Sequence, residues 1–136
     1  MRLYHFTCDH GVRGIAQDGS TRPHRQPLLR TAPPITWLTD MEVPDRDALG
    51  LSSLTLACDR TRYRLDVAAE DVPGLLHWPA AAREWHVPRP ARELLECGGA
   101  LPVHWYVTAA PIDVALVGLA ESTPNGVRVL KIGAPA

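Results

Sequence analysis

The sequence predicts an α+β domain: a mixed, mainly antiparallel sheet carrying a few short helices. Three observations predict it. Segments with strand character outnumber helical ones, in the order β-α-β-β-β-α-β-β-β. Several of those strands adjoin without the crossover helix that a parallel, doubly wound sheet requires. Thirteen prolines and ten glycines in 136 residues cut the chain into short elements joined by ordered loops. At this length a single domain over residues 1–136 is expected, and a 46% apolar content suffices for one substantial core.

The elements follow in order. Arg2 to Thr7 is rich in β-favouring and aromatic residues and is stopped by Cys8-Asp9-His10. Asp9 is the expected N-cap of a helix whose apolar residues Val12, Ile15 and Ala16 recur at helical spacing, with Gly19 as its C-cap. Residues 20–34 hold four prolines and three arginines without periodicity and are expected to form a long loop of functional character. "ITWLT" (35–39) is the second strand, ended by Asp40, and residues 40–53 are polar and turn-like. "LTLACD" (54–59) and "TRYRLDV" (61–67) are two more strands; in the second, Tyr63, Leu65 and Val67 point one way and Arg62, Arg64 and Asp66 the other. Residues 74–97 contain two helical pieces parted by Pro88 and Pro90, and the seven-residue spacing puts Trp78 and Trp85 on one helix face. Strands are expected at 102–109, 114–120 and 126–133, the last after the turn Pro124-Asn125-Gly126.

A formal net charge of −1 advertises no nucleic-acid surface, although a local basic patch remains compatible with it. Cys8, Cys58 and Cys97 share no CxxC spacing, and the N-terminus lacks the apolar core of a secretory signal. Reduced thiols in a cytoplasm are therefore expected. The six histidines are scattered, so no zinc pattern arises. No apolar run approaches the roughly 20 residues of a membrane span.

No GxGxxG, phosphate loop, GxSxG or HExxH occurs. Chemistry must come from scattered residues gathered by folding. "LYHFT", the helix "HGVRGIAQDG", the basic loop and "PPITWLT", with the later "HWYVTAAPIDVALVGLAE", together resemble the ADP-ribosyltransferase fold. The likeness is nearest to the DNA-targeting toxins of toxin–antitoxin systems and extends to the tRNA 2′-phosphotransferases. The resemblance implies an NAD-dependent transferase modifying DNA, RNA or a protein. It implies that His5 contacts the ribose of NAD, with Tyr4 and Thr7 beside it on the strand, and that Trp37 lies near the nicotinamide. A neutral imidazole, one donor and one acceptor, suits a vicinal diol.

The family's late strand carries a catalytic glutamate. Here His104 in "VHWYV" occupies that position, and a histidine supplies no fixed negative charge at neutral pH. Glu84 in "AAREWHVP" is the substitute carboxylate. Arg64 is the expected phosphate grip, with Arg22, Arg25 and Arg30 of the long loop available to a nucleic acid. Two alternatives stand beside the transferase: a non-catalytic binder or inhibitor that kept the cleft, and an RNA phosphotransferase that uses NAD.

Overall fold

The computed structural model describes residues 1–43, 45, 48–49, 59–123 and 125–130. Seven strands and three short helices alternate along the chain: β1 (Arg2–Thr7), α1 (Asp9–Asp18), β2 (Thr36–Thr39), β3 (Tyr63–Ala68), β4 (Leu76–His77), α2 (Trp78–Glu84), α3 (Arg89–Leu95), β5 (Trp105–Thr108), β6 (Val117–Thr123) and β7 (Gly126–Leu130). The strands form one sheet in the order β4-β5-β2-β1-β3-β6-β7. Every pairing is antiparallel, so the mainly antiparallel α+β expectation holds. No helix among the described residues is long and apolar enough to cross a membrane.

Strand alternation divides the core between the two faces of the sheet. On one face Trp37, Trp105 and Val107 pack with Leu29, Ala32, Ile35 and the α2 residues Trp78, Ala81 and Ala82. On the other, Leu3, Leu38 and Val67 pack with Val72 and Ile112, and Leu65 and Leu119 pack with Ile15 of α1. The expected alternation of β3 is seen: Leu65 and Val67 are buried on the α1 face, while Arg64 lies over the Tyr4 ring of the other face.

Several boundaries differ from the sequence reading. Cys8, not Asp9, is the N-cap; Asp9 is the first helical residue and turns its carboxylate to Arg62 at 2.8 Å. Gly19 ends the helix as expected, at φ 75°, a left-handed conformation that glycine adopts without a Cβ clash. The strand expected at 102–109 is shorter. Pro102 has no N–H to give a ladder and instead starts a 3-10 turn over Pro102–His104, leaving Trp105–Thr108 as strand. At 114–120 a second 3-10 turn, Val114–Leu116, is capped by the Asp113 carboxylate accepting from the Ala115 N–H. The two-residue β4 was not anticipated. It falls inside the stretch read as helix, because Pro79 defers the helix to Trp78. Trp78 and Trp85 do share one cluster. The expected strand at 54–59 and the end of the strand at 126–133 lie outside the described residues.

The segment 20–34 is irregular, as expected, and tied at both ends. Thr21 bonds Ile112 through its N–H at 2.9 Å, and His24 and Ile35 exchange two backbone hydrogen bonds. Leu29 and Ala32 are buried against Trp78. The segment thus passes from one sheet face to the other around the end of β1 and β2.

Candidate functional site

The seam between β1 and β2 is joined by the fewest register pairs of the sheet among the described residues. β1 shares six register pairs with β3 but one with β2, Tyr4 opposite Thr39. Next to that pair, the His5 ring bonds across from β1 to β2. Its Nδ1–H donates to the Trp37 carbonyl at 2.6 Å. In an antiparallel strand alternate residues turn their backbone groups to the same neighbour, so Trp37, like Thr39, faces β1. A side chain therefore takes the place of a ladder bond. With Nδ1 donating, Nε2 keeps its lone pair as an acceptor. Burial holds the ring below the ordinary 6.5, the Trp37 hydrogen bond opposing this and His24 adding to it. His5 is a neutral, oriented imidazole.

A polar row lies one step along the same face. Register pairs join Thr7 to Tyr63, Tyr63 to Glu121, and Glu121 to Arg128. Continuing the Tyr4–Thr39 register by three places sets Thr7 opposite Thr36, which pairs with Thr108. Among the described residues the Thr36 Oγ1 is the buried side-chain polar atom with no hydrogen-bond partner. Thr36 is 3% exposed, and a buried hydroxyl left unmet costs roughly 1–3 kcal/mol. Thr7 sits against Gly11 of α1, where any Cβ would collide with its hydroxyl.

The outer part of the row is closed. Glu121 accepts from Arg128 at 2.5 Å and from Arg62 at 3.2 and 3.3 Å, and Arg62 also reaches Asp9. Arg128, then Arg62, hold the Glu121 carboxyl below its ordinary 4.5 against the opposing effect of burial. Two acidic and two basic groups cancel, so this network ties β7, β6 and α1 together through Arg62, which precedes β3, and offers no free charge.

At the other end of the same face His104 Nδ1 lies 2.7 Å from Asp40 Oδ1, both side chains partly exposed. Asp40 directly follows β2, and His104 directly precedes β5. Burial, and then the Asp40 charge, raise the Tyr106 phenol, and Tyr106 packs beside Leu38 and Leu3. The dyad therefore belongs to the His5 face.

The residues singled out in the sequence are split between the faces. His5, Thr7 and His104 share one. Tyr4, Trp37 and Arg64 point to the other. Trp37 packs on Trp78 and Trp105 with ring centroids 5.1 and 5.7 Å apart, and meets the seam through its carbonyl. Arg64 is bidentate to Asp66 at 2.7 and 2.9 Å, donates to the Glu42 carbonyl and lies over the Tyr4 ring. Glu84 is exposed at the end of α2, on the tryptophan side of the sheet. Arg22 pairs with Asp18 of α1, whereas Arg25 and Arg30 are exposed. Thr36 and Asp40 escaped the sequence reading. The alternation of "ITWLT" carried the signal for Thr36, since it sets that residue opposite in sense to Trp37.

In comparisons with known proteins, no family model, no curated protein and no solved structure matches this chain.

Proposed function

We propose that this chain is an NAD-using ADP-ribosyltransferase that modifies a nucleic-acid or protein acceptor, with the β1–β2 seam as its dinucleotide site. The observation that carries this reading is the neutral His5, whose Nδ1–H is fixed on the Trp37 carbonyl and whose Nε2 remains an acceptor. The orphaned Thr36 hydroxyl is its companion on the next strand. One acceptor and one hydroxyl on neighbouring strands suit the vicinal diol of a ribose. NAD supplies the activated ribose, whose bond to nicotinamide is the one replaced. His5 and Thr36 bind and orient the sugar, and the segment 20–34 borders the seam with Arg25 and Arg30 exposed toward an acceptor. The "LYHFT" resemblance to the ADP-ribosyltransferase fold supports the same assignment.

Titration calorimetry with NAD, followed by nicotinamide release with DNA, RNA and protein acceptors, tests the reading. Binding with release is the expected result. Binding without release for any acceptor supports the binder in place of the enzyme, and absence of binding removes the cofactor from the account.

A further inference from the structure

The histidine at the late strand, His104, has no fixed charge of its own, yet a carboxylate stands 2.7 Å from it. We propose that Asp40 and His104 form one unit, His104 the base that activates the acceptor and Asp40 its positioning residue. This rests on the transferase reading above.

An ionised carboxylate only accepts, so Asp40 fixes the ring proton on Nδ1 and leaves the lone pair on Nε2. Both backbones are pinned. Thr39 pairs with Trp105 across β2 and β5. The Thr39 hydroxyl accepts the Met41 N–H, and the His104 N–H is bonded to the Leu101 carbonyl. The two side chains are 39% and 29% exposed, so an incoming group can reach the pair from solvent. β5 lies two strands from β1 in the sheet, a separation of about 10 Å. A bound dinucleotide held at His5 and an acceptor at His104 can therefore meet on one face.

In the step, the acceptor oxygen forms a bond to the ribose carbon as that carbon's bond to the nicotinamide nitrogen breaks. The electron pair of the broken bond leaves with nicotinamide, whose ring becomes neutral. The acceptor's proton goes to Nε2 and then to water. The Asp40 charge stabilises the imidazolium that forms, which supplies the fixed negative charge His104 lacks.

The test has a readout without NAD. In ring-nitrogen NMR of the full chain, His104 is expected in the Nδ1–H tautomer. Asp40→Asn, whose amide can donate as well as accept, mixes the tautomers, and Asp40→Glu retains the preference. Nicotinamide release in the presence of acceptor is expected to fall about 10²-fold or more in Asp40→Asn, with the NAD dissociation constant unchanged, and to recover in part in Asp40→Glu. His104→Asn should match Asp40→Asn. An unchanged tautomer in Asp40→Asn, or undiminished release, overturns the dyad. NAD binding that fails in the wild type instead overturns the reading on which the dyad rests.

Discussion

Neighbouring residues on one strand meet opposite fates in this sheet. Tyr4 and Trp37 turn to the tryptophan face, where each polar or aromatic group has found its complement: Arg64 with Asp66, Glu42 and Tyr4, and Trp37 with Trp78 and Trp105. Their sequence neighbours His5 and Thr36 turn to the other face. There one ring nitrogen is committed to Trp37, and one buried hydroxyl has no partner among the described residues. Saturated groups hold a fold together; groups left with hydrogen-bonding capacity are able to take a ligand. On the proposed function the tryptophan face serves stability, while the His5 face, which carries core clusters of its own, also serves binding.

Damage to the tryptophan face should be felt in stability first. Trp78 is fully buried at its centre, and Trp78→Ala is expected to cost about 3–5 kcal/mol, read in urea unfolding. An intact midpoint would mean that this face is not the main core. Arg64→Lys comes next. Lysine cannot reproduce the bidentate pairing with Asp66, and the loss is expected at roughly 1–3 kcal/mol with NAD affinity unchanged. A weakened NAD affinity in a folded Arg64→Lys chain would restore the phosphate role expected from its sequence and blur the division of faces.

How much of this division was legible in the sequence follows from the period of two. The first strand, the antiparallel character and the shared face of His5 and Thr7 all follow from alternation and turn chemistry. The resemblance set Tyr4 beside His5, yet adjacency in a strand sends the two to opposite faces. Arg64 could be read as a free cation only until its same-face neighbour Asp66 was weighed, two residues on. Asp40 was read only as the end of a strand. Its pairing with His104 spans 64 residues, and no local pattern announces a contact made by folding. The same holds for Arg62, placed in the sequence only on the polar side of its strand, which is joined to Glu121 of β6, 59 residues on.

The His5 face should show two gentler effects. Thr36→Val replaces an unmet hydroxyl by a methyl group of similar size, so stability is expected to hold or rise by about 1 kcal/mol. A clear loss in thermal unfolding would show that the hydroxyl has a partner after all. The acid dependence of stability is smaller still. Because burial holds His5 below the ordinary 6.5, the unfolded chain takes up that proton first. Stability is present above that value and is lost as pH falls from about 6.5 toward the folded-state value. His5→Gln should remove this part of the pH profile below about pH 6.5, and an unaltered profile would mean that the ring titrates normally.

The most direct measurement is calorimetric titration of NAD into the wild type, His5→Ala and Thr36→Val under one set of conditions. A hydrogen bond worth about 1 kcal/mol net corresponds to roughly fivefold in affinity. Binding by the wild type, weakened about fivefold or more in each variant while both remain folded, is the predicted result. No binding by the wild type, or binding that both variants leave untouched, would contradict the assignment of the β1–β2 seam.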